Sequence, residues 1–246
     1  MALANDRAKN LRREYRLELK KIKVAIDGPA GAGKSTVARL VAGTLGYIYV
    51  DTGAMYRAVT WYFINKGIST NDKGLMVASL PDIHLELKPA TEGQQIWVNN
   101  REVTGMIRTP EVTAQVSSVA QVTEVRGYLT NIQKRLSVEG GIVMDGRDIG
   151  TEVLPDAELK IFLTASVDER AARRYKEMLA AGTEIPLAQL KQDIMDRDRM
   201  DQERALSPLR EAEDAVFIDC TSSSIHTVVQ QIVHLSLSII NEAKSE

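Results

Sequence analysis

Apolar positions along this 246-residue chain follow two different periods. Five short runs are apolar almost without interruption: 22–26, 47–50, 142–145, 159–163 and 215–219, with acids closing the third and fifth at Asp145 and Asp219. That length and texture predicts strands buried on both faces. Between them the apolar spacing changes to three and four, which predicts helices. One runs from Thr36 to a stop at Gly46, the next from Asp51-Thr52-Gly53 to Gly67, and another from Asp168 to Ala181, ended by Gly182. A charged helix follows over 187–205, and Ser223 or Ser224 opens a last amphipathic one through Val228, Ile232, Leu235 and Ile239. Strand alternating with helix predicts an α/β fold: a five-stranded parallel sheet with helices on both faces.

The pattern changes between 67 and 139. Ile83–Lys88 alternates apolar and polar, as a half-buried strand does, and Ile96-Trp97-Val98 is followed by the hairpin signal Asn99-Asn100 and a return over 101–104. Pro89–Gln95 is expected to turn the chain. Thr109-Pro110-Glu111 starts a helix with a capping hydroxyl, proline at the first helical position and an acid in the first turn. It continues, with a break near Thr123, to about Val138, where Gly140-Gly141 ends it. The expected organisation is a charged extension over 1–20 and one domain over 21–246. Its core covers 21–66 and 140–246, with an antiparallel insert at about 67–139 and a helical lid at about 170–190.

The first strand runs into Gly28-Pro29-Ala30-Gly31-Ala32-Gly33-Lys34-Ser35, followed by Thr36 and a helix. G-x-x-x-x-G-K-[ST] between strand and helix is a phosphate-binding loop. Its glycines let backbone N–H groups curl around phosphate oxygens, the helix N-terminus faces the same anion, Lys34 reaches the outer phosphates, and the Ser35 hydroxyl binds Mg²⁺. The loop predicts a nucleoside triphosphate ligand. In such a sheet the ligand crevice lies beyond the carboxyl ends of the strands, which directs attention to Thr52–Arg57 and to Arg147-Asp148. Asp145 has two readings here, a Mg²⁺ contact through water or an acceptor for hydrogen bonds at the strand end. Arg197, Asp201 and Arg204 share one helix face. By spacing alone they form a salt-bridged solvent face, Arg197 and Arg204 each pairing with Asp201. A set of guanidiniums gripping a phosphate is the alternative. Arg170, Arg173 and Arg174 carry the same ambiguity.

Composition narrows the classes. Thirty-one basic against 33 acidic residues give no general polyanion binder. The single cysteine, Cys220, excludes an intrachain disulfide framework and fits a reducing compartment. No apolar run approaches the roughly 20 residues a bilayer span needs. The expectation is a cytoplasmic protein with neither nucleic acid nor membrane as partner. The basic leader, Arg7 to Lys21, is read as a solvated extension. His84, His226 and His234 lie far from the motifs, so nucleophilic or histidine-based chemistry has no support.

The chain resembles the bacterial cytidylate kinases, a branch of the P-loop nucleoside monophosphate kinases. The residues that carry the resemblance are the loop 28–35, Asp51-Thr52-Gly53-Ala54-Met55-Tyr56-Arg57, Gly105–Thr109, Asp145-Gly146-Arg147-Asp148-Ile149-Gly150-Thr151 and 197–209. The resemblance runs from about Ile22 to the C-terminus and leaves residues 1–20 without a counterpart. It implies transfer of the ATP γ-phosphoryl group to CMP or dCMP. A monomer is expected, with Mg²⁺ held directly by Ser35 and, on the first of its two readings, through water by Asp145. The resemblance implies that Lys34, Arg147 and Arg204 are catalytic. Arg57, Arg147 and Arg204 would grip the CMP phosphate, Ser117, Arg126 and Asp148 would face cytosine, and Thr52, Arg197 and Asp201 would hold the nucleotide and its sugar. Arg170 and Arg174 fall where the family has its lid over ATP. A kinase for UMP or AMP is the alternative. A GTPase-type switch lacks its motifs: no D-x-x-G follows the loop, and Asn65-Lys66-Gly67-Ile68 fails N-K-x-D at the fourth place.

Overall fold

The computed structural model describes residues 21–90, 93–180 and 182–242. The leader expected over 1–20 lies outside the described residues. All five apolar runs form strands of one parallel sheet: β1 (Lys23–Asp27), β2 (Ile48–Asp51), β6 (Ile142–Gly146), β7 (Leu159–Thr164) and β8 (Val216–Asp219). Their order across the sheet is β2-β6-β1-β7-β8. β1, which leads into the phosphate loop, is therefore central, flanked by β6 and β7. Its residues Val24, Ala25 and Ile26 are shielded on both faces, as the continuous apolar run requires.

Helix α1 (Lys34–Leu45) follows the loop and ends at Gly46, in the left-handed conformation at φ 69°. With α8 (Ile225–Glu242) it covers one face of the sheet, around Val24, Ile26, Val37, Val41, Ile161 and Ile232. Helix α2 (Thr52–Asn65) begins directly after β2, and the Asp51 carboxylate accepts a 2.8 Å hydrogen bond from the Ala54 N–H to cap it. It packs on the other face, with Ala25, Met55, Phe63, Leu129 and Met144 in a second core.

The insert begins with α3 (Lys73–Ser79), a short helix capped by Asp72. No apolar periodicity announced it, since Met76 is its one buried residue. After a 3₁₀ turn (Leu80–Asp82), the antiparallel strands β3 (Leu85–Ala90), β4 (Gly93–Val98) and β5 (Arg101–Glu102) form a three-stranded sheet. The Asn99-Asn100 hairpin is present, with φ of 49° and 64°. The chain does reverse within the expected 89–95, but strand takes up most of that stretch. Pairing continues through Lys88↔Gln95 and Pro89↔Gln94 to Ala90↔Gly93. Pro89 is tolerated because β3 is an edge strand. Helices α4 (Pro110–Val119) and α5 (Thr123–Leu136) divide where the break was expected, Thr109 capping the first. Beyond β6 the chain makes one π-helical turn (Ile149–Val153), then α6 (Val167–Ala180) after β7 and α7 (Leu187–Glu203) before β8. Among the described residues, no helix is long and apolar enough to cross a membrane.

Candidate active site

The phosphate loop leaves β1 so tightly that a Cβ on Gly28 (φ 147°) would lie 1.9 Å from the Leu163 carbonyl oxygen. Only glycine fits there. Lys34 is buried, and its Nζ donates to the Pro29 carbonyl at 2.7 Å. Burial and the guanidiniums of Arg147 and Arg197 hold the Lys34 amine well below its ordinary pKa.

Two arginines of α6 support the loop. Arg170 is buried; it donates to Ala165 O at 2.8 Å and Ala30 O at 3.0 Å, and pairs with Asp198 of α7 at 2.6 Å. Arg173 donates to Ala32 O at 3.3 Å and Cys220 O at 2.8 Å. Arg174 is half-exposed and pairs with Glu177 at 3.2 Å. Of the two arginines expected over ATP, then, Arg170 is taken up by Asp198, Ala165 O and the loop carbonyl of Ala30, and Arg174 pairs along its own helix. Arg173, not singled out with them, touches the loop.

Across the crevice, Arg147 Nε donates to Asp201 at 2.8 Å. Burial opposes the Arg147 charge, but Asp201 outweighs it and holds the pKa above its ordinary value. Half-buried Arg197 has an Nε without a hydrogen-bond partner among the described residues. Burial, Arg147 and Arg57 push its guanidinium down to about 9. Burial, with Arg108 and Arg147 nearby, also depresses Arg57, and Asp51 partly offsets this. These shifts mark a cluster of like charges.

A second group is built on Asp148. Its carboxylate pairs with the buried Arg126 and, at 3.3 Å, with Arg204. The Arg126 guanidinium lies 5.5 Å from the centre of the Tyr56 ring. Ser117 is buried on α4, and Thr52 donates its hydroxyl to the Asp145 carbonyl at 2.7 Å. The solvent-face reading of α7 is overturned. Asp201 is buried and pairs with Arg147, and Arg204 turns to Asp148. Neither of the in-helix pairs that spacing suggested is formed among the described residues: α7 ends at Glu203, short of the expected 205, so Arg204 lies past the helix in an extended conformation, and partners 54 and 56 residues distant in sequence meet Asp201 and Arg204.

Asp145 accepts from Ser35 Oγ at 2.8 Å and from the Tyr49 hydroxyl at 2.9 Å. Burial and the neighbouring Asp51 push it up to about 7.

The cytidylate kinase family model matches residues 24–237. A cytidylate kinase of Ligilactobacillus salivarius is 53% identical over 217 residues, covering 88% of this chain and 97% of that protein. Those of Exiguobacterium sibiricum and Anoxybacillus flavithermus are 49% and 51% identical, covering 89% and 87% of this chain and 98% and 95% of theirs. The chain belongs to the cytidylate kinase family.

One buried acid of this cytidylate kinase family member was not anticipated. Asp27, the last residue of β1, accepts the Ile149 N–H at 2.8 Å and the Gly150 N–H at 2.7 Å. It anchors the π-helical turn directly after Arg147-Asp148 to the start of the phosphate loop. The only sequence signal was an acid closing the first apolar run. Burial pushes Asp27 up to about 6 from an ordinary 3.8. The folded state therefore binds more protons than the unfolded one between those values, and stability from this group falls as pH rises through that window. The gap corresponds to about 3 kcal/mol. Asp27→Asn is expected to flatten the decline in unfolding free energy between pH 4 and 6 by that order, measured by urea titration at each pH. An unchanged pH slope contradicts the assignment.

Proposed function

We propose that this chain transfers the γ-phosphoryl group of ATP to the phosphate of CMP or dCMP, giving ADP and CDP or dCDP. The observation that carries the reading is the cationic cluster of Arg57, Arg147 and Arg197 facing Lys34, with a partnerless Nε inside it. Like charges gathered at partial burial are relieved by an anion, and a nucleoside monophosphate supplies a dianionic phosphate. Family membership supports cytosine as the base.

Lys34 and the loop N–H groups hold the donor phosphates, while Arg57, Arg147 and Arg197 hold the acceptor phosphate in line. Arg204 shares Asp148 with Arg126 and so links the acceptor grip to base recognition. The acceptor oxygen is already anionic, so no general base is needed, and rate comes from alignment and charge neutralisation. Ser117, Arg126 and Asp148 read the base; Thr52 and Asp201 orient the site through Asp145 and Arg147. Arg170 and Arg173 brace the loop, and Arg174, held by a half-exposed pair with Glu177, is the lid arginine that turns toward ATP.

The donor set beside Lys34 fits Mg²⁺. Ser35 Oγ and Asp145 Oδ2 are hard oxygen donors 2.8 Å apart, suited to direct and water-mediated contact respectively. When bound, the ion offsets charge on the donor phosphates and fixes their geometry. The working unit in this reading is a monomer, and the substrates are those of cytoplasmic pyrimidine nucleotide metabolism.

The direct test is ADP production with CMP, dCMP, UMP and AMP in parallel. CMP and dCMP are expected to lead; a clear preference for AMP sinks the assignment. Arg126→Ala removes a charged hydrogen-bond donor from the base side, so the KM for CMP should rise roughly 10- to 100-fold while that for ATP stays near normal. Equal losses for both nucleotides contradict its assigned place.

A further inference from the structure

We propose that Tyr49 is a positioning residue for Asp145, keeping one carboxylate oxygen aimed at the Mg²⁺ side of the phosphate loop. The inference rests on reading Ser35 and Asp145 as the metal-side donors. Each Asp145 oxygen accepts one hydroxyl: Oδ2 from Ser35 at 2.8 Å and Oδ1 from Tyr49 at 2.9 Å. Ser35 can offer an oxygen lone pair to the ion while its O–H still donates to Oδ2, so it restrains only that one carboxylate oxygen. The phenol holds the other oxygen, Oδ1, and so fixes the rotation of the carboxylate that a single hydroxyl leaves open. Such outer contacts orient metal-facing groups and set their affinity. Asp51, ending the same strand as Tyr49, repels the Asp145 charge, and the phenol O–H opposes that repulsion.

Tyr49 is itself held from the insert. β2 is the edge of the parallel sheet, and its outward backbone groups are met by the Gln94 side chain of β4. Gln94 Nε2 donates to Tyr49 O at 3.1 Å, and Gln94 Oε1 accepts from Asp51 N at 3.2 Å. One amide thus replaces a neighbouring strand over this stretch. The Tyr49 ring packs against the core shared by α1 and β1, so the hydroxyl can be removed without removing the packing. A cavity of about 320 Å³ reaches Ser35, Tyr49, Asp51 and Gln94, with room for a hydrated ion beside these donors.

The test is calorimetric titration of the full chain with ADP, with and without Mg²⁺, for the wild type, Tyr49→Phe and Asp145→Asn. Tyr49→Phe is expected to bind ADP normally without metal and to lose roughly tenfold or more of the affinity gained on adding Mg²⁺. A Mg²⁺ gain within twofold of wild type overturns the proposal, as does a matching loss of metal-free ADP binding, which would mean a packing role. If Asp145→Asn loses the gain and Tyr49→Phe keeps it, the Tyr49 proposal alone fails. If Asp145→Asn keeps it, the metal reading of Asp145 fails, and the Tyr49 proposal with it.

Discussion

Replacing Lys34 by alanine is expected to lower kcat by roughly 10³-fold with every acceptor, without lowering the melting temperature. The kinetic part follows from charge. Lys34 is the loop's own amine, buried beside Arg147 and Arg197, where the proposed function puts the donor phosphates. A preorganised charge in such a site contributes on the order of 10²–10³-fold. The stability part needs its sign worked out. Burial, then Arg147 and Arg197, depress the Lys34 pKa below the ordinary 10.5. Between the depressed and ordinary values the unfolded chain binds more protons than the folded one, so stability rises with pH across that window. Below the window the charged lysine opposes folding, and alanine removes that opposition. Steady-state kinetics and a thermal melt on the same preparation check both halves. A fall of more than about 4 °C, near 1 kcal/mol or more for a chain this size, would mean that Lys34 supports the fold instead.

Arg147→Ala should damage both activity and stability, and the two effects can be separated. Asp201, buried against α7's partners, then loses the guanidinium 2.8 Å away. Leaving a buried carboxylate unpaired costs about 3–5 kcal/mol, or roughly 10 °C in melting temperature. Loss of the acceptor-phosphate grip should lower kcat by roughly 10²-fold or more. Adding Asp201→Asn removes the stranded charge, so the double variant should regain most of the melting temperature while staying catalytically poor. Recovery of activity together with stability would show that Arg147 serves the fold alone.

These predictions draw on information of two kinds. The phosphate loop was legible because its chemistry is local. Glycine at φ 147°, a lysine and a serine at set intervals, a strand before and a helix after are all written within twenty residues. The five strands and the Asn99-Asn100 hairpin were legible for the same reason, since an apolar run and a left-handed turn each leave a local mark; burial on both faces holds for the inner strands, while edge strands β2 and β8 expose Ile48 and Phe217. Partners across the chain leave none. Helix spacing put Arg197 and Arg204 beside Asp201 and favoured pairing within the helix. Packing instead delivered Arg147 to Asp201, set Arg204 past the helix end against Asp148, and left the Arg197 Nε without a partner among the described residues. Arg170 read as a lid residue from the family resemblance, and its charged run by itself suggested a solvated face. It is buried because Asp198 and the Ala30 carbonyl satisfy its guanidinium.

The sequence by itself determined that this protein has a phosphate-binding loop in an α/β sheet, and its later motifs assigned it to a kinase family. The sheet order decided the rest. With β1 between β6 and β7, Asp27, Ser35 and Asp145 are neighbours, though up to 118 residues separate them in the chain. Edge strand β2 brings Tyr49 to Asp145 and exposes its backbone to Gln94. Which buried charge finds which partner depends on desolvation and distance in the folded state, and neither exists until the strands are in place.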